Sequence, residues 1–500
     1  MKKKLLILIP AIAVIIIGIT YAWWDWMSTT SSASFTVTDL VINYSGGPDI
    51  TGIQLVPVTS KEKGEADGTA VVKTITASAN GKAYLDLNMT LETYPTDLKD
   101  DTLVWGIYNG NTLINYSNLG NNNQGDVVEI LKGEPITETP TTFKLYIWID
   151  GRVDNPNRMQ RQDFKFVLSA SASNEMPPKK LSDKVIELAG DCTSWESGFS
   201  GVCATSAYDD NGVTKYHEYR YIGANVNNWV RFNNEDYRII GVFDDYSHGV
   251  EKNKLVKLIS ADQLFASSWG IYNDSSTNYT SCSGNNNNWA QPSNLNVLLN
   301  TYFFDSNAIS TYGTCENLMY YISGIDNSSK TLDCTKIKRY GIQTQELRNY
   351  IQPASWYLKG YSSNSYYRQN FYTCERSDSS SILNCDKSSA TGAAIKVEKT
   401  EIGLMYVSDY LYASGYYSSS QNYSANQYYY GRYNWLYNGT EWTITPIGGN
   451  DSNLSYVDNA GAIGEITSSS SNAVRPTFYL KPNIRIISGD GTYTNPYVIG

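Results

Sequence analysis

Leu5 to Trp24 is an unbroken run of twenty uncharged, mostly apolar residues, preceded by Lys2, Lys3 and Lys4 and closed by Asp25. As a helix rising about 1.5 Å per residue, such a run just crosses a hydrocarbon core of roughly 30 Å. The lysines stay on the cytoplasmic side, which sends everything after Trp24 across the membrane. No second run of this length follows, so the expectation is one extracytoplasmic body that depends on its N-terminus for attachment. Two readings of residues 1–27 stay open. Thr20-Tyr21-Ala22 offers a small-residue site for cleavage of a signal peptide after Ala22. An uncleaved anchor fits the length, with Trp23, Trp24 and Trp26 at the membrane interface.

Five hundred residues exceed what one hydrophobic core serves, so two or more domains are expected. A net charge of −10 makes a surface that repels phosphate backbones, so nucleic acid is not an expected partner. Only 18% of residues are charged while tyrosines number 41, which describes a polar, weakly charged surface of the kind common outside cells. AT-rich coding would favour Asn and Tyr as well.

All seven cysteines lie beyond Gly190. Cys192 and Cys203 are eleven apart, as are Cys374 and Cys385. Neither interval suits zinc, and the chain holds only His217 and His248. Export permits disulfides. The expected bridges are Cys192–Cys203 and Cys374–Cys385, with Cys315–Cys334 a third and Cys282 left over. Buried, reduced thiols are the competing reading, and spacing does not decide connectivity.

From Ala33 to Ala172 the pattern is β. Thr141 to Asp150 alternates Phe143, Leu145, Ile147 and Ile149 with Lys144, Tyr146, Trp148 and Asp150. Gln162 to Ala172 repeats this with Phe164, Phe166, Leu168 and Ala170. Period-two alternation marks antiparallel strands with one face on a core. Further strands are expected at Ala33–Asn43, Ile53–Val58, Ala70–Ala77, Lys82–Leu91, Leu103–Asn109 and Asp126–Leu131. Short strands between Gly, Asn and Pro turns read as an all-β sandwich or jelly roll over 28–173.

The leader running into Gly18-Ile19-Thr20-Tyr21-Ala22-Trp23-Trp24, the polar Ser28–Ser34 segment and the strand Phe35-Thr36-Val37-Thr38-Asp39-Leu40 together resemble the TasA/camelysin family of exported bacterial fibre and surface proteins. The closing strands Phe143–Ile149 and Phe164–Ala170 fit the same pattern. The resemblance covers about the first third of the chain. It implies a jelly-roll fold and self-association in which Trp23–Ser34 is donated as a strand to a neighbouring subunit. Unpaired sheet edges make such addition favourable. A membrane stalk is the alternative role for the same residues.

Asn174 to Lys180 carries two prolines and reads as the linker, with Ser182 capping a helix from Asp183 to Ala189 and Gly190 stopping it. Residues 181–500 read as α+β. Trp229–Phe232, Tyr237–Phe243 and Leu255–Ile259 form a meander turning at Asn233-Asn234, and Ser293 caps a helix with Leu295, Leu298, Leu299 and Tyr302 on one side. The motifs Phe232-Asn233-Asn234-Glu235-Asp236-Tyr237-Arg238, Gly403-Leu404-Met405, Trp442-Thr443-Ile444-Thr445-Pro446, Val474-Arg475-Pro476 and Gly489-Asp490-Gly491-Thr492 with Asn495-Pro496-Tyr497 resemble an uncharacterised domain of Gram-positive surface proteins. That domain is similar to the C-type-lectin-like superfold, and the likeness implies a fold without implying chemistry.

No catalytic constellation stands out. His217 in Tyr-His-Glu and His248 in Ser-His-Gly lie in polar contexts with no nucleophile assigned. Asp209-Asp210-Asn211-Gly212 and Asn450-Asp451-Ser452-Asn453 offer oxygen ligands, but neither matches a twelve-residue calcium loop with its distal Glu, and turns are the better reading. No cofactor or metal is expected. Ser414 to Trp435 is the stretch that reads as a binding surface, through Tyr416, Tyr417, Tyr423, Tyr428, Tyr429, Tyr430, Tyr433 and Trp435 among Ser, Gly and Asn. Tyrosine supplies contact area at low entropy cost, and the small polar residues supply adaptable hydrogen bonds. A loop packed onto its own domain would have the same composition. The expectation is therefore a non-catalytic, membrane-tethered or secreted adhesion module whose partner is a surface glycan or protein. A fibre subunit is the alternative, and an extracellular hydrolase is less favoured.

Overall fold

The computed structural model describes residues 27–28, 32–37, 40–47, 55–100, 102–120, 122–151, 159, 162–190, 198–208, 214–243, 254–269, 289, 294–308, 315, 334–358, 371–372, 374–375, 396–415, 431–447, 453–468 and 470–500. The apolar run 5–24 lies outside them, and among the described residues no helix is long and apolar enough to cross a membrane. The chain divides into two compact units, Met1–Pro177 and Pro178–Gly500, and both are built mainly of strands.

Among the described residues the first unit holds two sheets. One runs in the order Met27–Ser28, Lys165–Ser173, Ala83–Thr93, Val127–Ile136. The other runs Ser32–Val37, Leu40–Ser45, Val71–Ala79, Thr141–Asp150, Leu103–Asn109, Thr112–Asn118. Leu85, Leu87, Met89 and Leu168 from the first sheet and Ile75, Ile107, Phe143, Leu145 and Ile147 from the second share one buried cluster. The alternation in Thr141–Asp150 produces that face as expected. The opposite face differs from expectation, because Tyr146 and Trp148 are buried too. A helix, Lys61–Asp67, belongs to the same unit, and Glu65 on it accepts from the Tyr146 hydroxyl at 2.9 Å and from Lys144 Nζ at 3.0 Å. Ser60 caps this helix through Lys63 N–H, and Gly68 ends it at φ 66°, the left-handed conformation that favours glycine.

The strand expected over Ala33–Asn43 is two strands, Ser32–Val37 and Leu40–Ser45, paired antiparallel from Ser32↔Ser45 to Val37↔Leu40. The alternation breaks at Thr38-Asp39, where the apolar phase shifts from Phe35 and Val37 to Leu40 and Ile42, and that break is the mark a single continuous strand passes over. Within one chain, then, part of the expected donor segment is already engaged: residues 32–34 pair with 43–45, and Met27–Ser28 pair with Ser169 and Leu168.

Among the described residues the second unit is organised on an eleven-stranded sheet, a five-stranded sheet and the two-stranded pair Ala354–Tyr357 with Lys396–Thr400, around one core. Trp229–Phe232 and Glu235–Phe243 form the expected hairpin, with Asn233 and Asn234 at φ 55° and 60°. Two successive left-handed residues give the turn whose twist matches paired strands, and asparagine tolerates that conformation. The first helix runs Leu181–Glu187 with Lys180 at its cap position, so Ser182 is buried inside the first turn instead of capping it. Leu295, Leu298, Leu299 and Tyr302 are buried as expected, on a helix that passes from α (Asn294–Val297) to π (Leu298–Phe303).

The motif Val474-Arg475-Pro476 has a physical reason. Arg475 Nε and Nη2 donate to Glu441 at 2.5 and 2.7 Å, and both side chains are about 2% exposed or less. Cys315 and Cys334 form a disulfide, with Cα atoms 5.9 Å apart across a sequence separation of 19. Cys203 and Cys374 are disulfide-bonded as well, and their expected partners Cys192 and Cys385 lie outside the described residues, as does Cys282. A cross-link of this span restricts the unfolded chain by about 3 kcal/mol. Cys315→Ser, made in the oxidised protein, should lower unfolding free energy by about that amount in urea titration. Mass mapping after alkylation without reductant should find Cys203, Cys315, Cys334 and Cys374 unlabelled.

Candidate functional site

The Ser414–Trp435 stretch begins and ends on described residues that the fold brings together. Ser414 bridges Asn434, and Gly415 N–H donates to the Tyr433 carbonyl at 2.8 Å. Both arms are then tied to one segment: Gly223 N–H donates to the Ala413 carbonyl at 2.9 Å, and Trp435 N–H donates to the Gly223 carbonyl at 2.8 Å. Gly223 sits at φ 112°, hard against the Phe199 carbonyl and Ser200, where a Cβ has no room. Asn434 closes the stem from inside, its Nδ2 donating to the Tyr410 carbonyl at 2.8 Å and its Oδ1 accepting from Leu436 N–H at 2.9 Å.

Of the expected contact residues, Tyr416, Tyr417, Tyr423, Tyr428, Tyr429 and Tyr430 lie outside the described residues. Tyr433 is half-buried at the stem, with Arg432 above its ring at 5.6 Å. Trp435 is 5% exposed, and its indole N–H donates to the Tyr221 carbonyl at 2.8 Å. It also forms one wall of a stack, because the Arg238 guanidinium lies 4.7 Å from its ring and 4.4 Å from the ring of Trp229. Arg238 is held in that slot by Asn228 Oδ1 at 2.7 Å and the carbonyls of Val226 and Trp435 at 3.3 and 3.4 Å. Burial pushes the guanidinium below its ordinary range, and the nearby charge of Arg475 adds to that.

Beneath the stem runs the helix Val407–Tyr412, fixed by a buried charge network that the sequence did not announce. Asp409 accepts from Lys257 Nζ at 2.6 Å, Arg220 Nη1 at 3.0 Å and the Tyr406 backbone N–H at 3.0 Å. Arg220 also holds Glu218 at 2.7 Å, and Glu218 accepts from the Tyr372 hydroxyl at 2.6 Å. These ionic side chains are at most 2% exposed. Aromatic rings line them: Tyr406 lies 4.5 Å from Lys257, and Phe243 lies 4.5 Å from Arg220. A second carboxylate, Glu375, accepts from Ser408 Oγ at 2.5 Å, Ser408 N–H at 3.2 Å and Thr445 Oγ1 at 2.6 Å. Sealed from solvent, this network positions the helix that carries the stem.

Among the described residues no group of three His, Cys, Asp or Glu side chains is placed to hold a metal ion. His217 falls on the strand Thr214–Ile222, while His248, residues 209–213 and residues 448–452 lie outside the described set. Comparison with family models, with curated proteins and with solved structures finds no match to this chain.

Two ion pairs of opposite environment give a test. Asp409→Asn removes the carboxylate that buried Lys257 pairs with and leaves Arg220 paired with Glu218 alone, and should cost roughly 3–5 kcal/mol of unfolding free energy in urea titration. Lys63→Ala removes an exposed pair with Asp67 (2.7 Å) and should cost under about 0.5 kcal/mol.

Proposed function

We propose that this chain is an exported, N-terminally tethered or secreted surface protein. A jelly-roll-like β-sandwich precedes a lectin-like α+β domain, and the second domain binds an extracellular partner, glycan in the first instance, through the Ser414–Trp435 stretch. The observation that carries this reading is the closed stem, in which 413–415 and 433–436 are pinned to one another and to 221–223. The stem holds the two ends of the Tyr-, Ser- and Asn-rich stretch together, and tyrosine supplies contact area at low entropy cost. Disulfides at Cys203, Cys315, Cys334 and Cys374 support the extracytoplasmic setting.

A second reading, fibre formation by strand addition, has its own support in the first unit. Only Met27–Ser28 pair with the outer side of Lys165–Ser173, so most of that nine-residue strand has no strand partner there among the described residues. Such an edge accepts an added strand.

The full-length chain on a glycan array should bind, and Tyr428→Ala, Tyr429→Ala and Tyr430→Ala together should abolish that binding without changing the unfolding midpoint. Binding that survives the triple substitution removes the stretch from the site. Negative-stain microscopy decides the second reading: filaments that disappear on deletion of residues 23–34 establish it, and their absence from the intact chain rejects it.

A further inference from the structure

Tyr493 is the most exposed of the described large hydrophobic side chains in the second unit, at 67% of its surface. It is nevertheless held in place. The turn that carries it is closed by Asp490 Oδ1, which accepts from Thr492 N–H at 3.0 Å and Thr492 Oγ1 at 2.7 Å. Asp490 N–H donates to the Asn495 carbonyl at 3.0 Å, and Asn495 N–H donates to Thr492 Oγ1 at 3.2 Å. Gly491, at φ 81°, packs against the Tyr497 ring and the Asn227 carbonyl, and its own carbonyl accepts from Trp229 N–H at 2.9 Å.

The same contact brings the Tyr493 ring to the Trp229 ring, centroids 4.9 Å apart and planes at 68°. Trp229 is itself backed by Arg238, clamped between Trp229 and Trp435. Two aromatic planes therefore meet at an angle on a braced support, with Asp490 in the turn that carries Tyr493 and Arg231 on the strand that carries Trp229. Arg231, two residues along the strand from Trp229 and on the same face, pairs with Asp236 at 3.1 Å. Asp490 is exposed, and its Thr492 donors hold its carboxyl below the usual carboxylate range, so it remains an acceptor.

We infer that the Trp229–Tyr493 corner is a saccharide subsite that takes one pyranose ring. A pyranose presents an apolar C–H face and a ring of hydroxyls. Rigid aromatic planes cover the first, and the carboxylate of Asp490 with the guanidinium of Arg231 takes the second. The inference rests on the glycan reading above and extends it to a second place on the fold, which shares its Trp435 support with the stem of the 414–435 stretch.

The test uses the full-length chain titrated with maltohexaose, cellohexaose and hexa-N-acetylchitohexaose, followed by calorimetry and tryptophan fluorescence. At least one should bind with a Kd of about a millimolar or tighter. Tyr493→Ala should weaken it roughly tenfold or more, Tyr493→Phe should stay within about twofold, and the triple Tyr428/429/430→Ala variant should retain this binding. Equal affinity in Tyr493→Ala, or no binding of any of the three sugars, overturns the subsite. Loss in the triple variant alone keeps the glycan reading and removes the corner from it.

Discussion

Much of the second unit depends on a charge balance struck out of reach of water. Two cations, Lys257 and Arg220, converge on Asp409 from different strands, and Arg220 carries Glu218 with it. Each ion costs several kcal/mol to desolvate, and only mutual pairing with well-placed hydrogen bonds offsets that cost. The arrangement is therefore close to all-or-nothing: the helix Val407–Tyr412 sits where its Asp409 meets both cations, and little slack remains. The surrounding aromatic rings satisfy the cations where oxygen does not reach. Because the stem of the 414–435 stretch follows directly on this helix, its position is set by the same balance.

A second stack of charge and ring runs outward from the stem. Trp435, Arg238, Trp229 and Tyr493 succeed one another from core to surface. Arg238 is bonded to neutral oxygens and sandwiched by indoles, so its role is to brace the rings.

The first unit shows how far alternation carries and where it stops. Phe143, Leu145, Ile147 and Ile149 name the inner face of their strand from sequence, and the structure buries them all. Tyr146 and Trp148 on the opposite face are buried as well, and alternation reads them as solvent-facing. The Lys61–Asp67 helix carried a signal in Ser60 and Gly68, a cap and a left-handed stop, but seven residues without an apolar stripe do not register as a helix by periodicity. The reversal between Val37 and Leu40 was legible, since the polar pair Thr38-Asp39 breaks the period and shifts its phase, and a single strand read across that break misses it.

What the sequence determined by itself is what local chemistry decides. It marks strands by their alternation, the Asn233-Asn234 turn by two residues that tolerate positive φ, and a boundary near Pro177 and Pro178 by ring constraints. Tertiary structure alone decided which distant residues meet. Asp409 lies 152 residues from Lys257 and 189 from Arg220, and nothing in the neighbourhood of any of them names its partner. The same holds for Arg238 between Trp229 and Trp435, which are anonymous aromatics in the chain and a rigid support in the fold. Pairing across such distances is fixed by the shape of the whole core and by the cost of leaving a buried charge alone, and local sequence encodes neither.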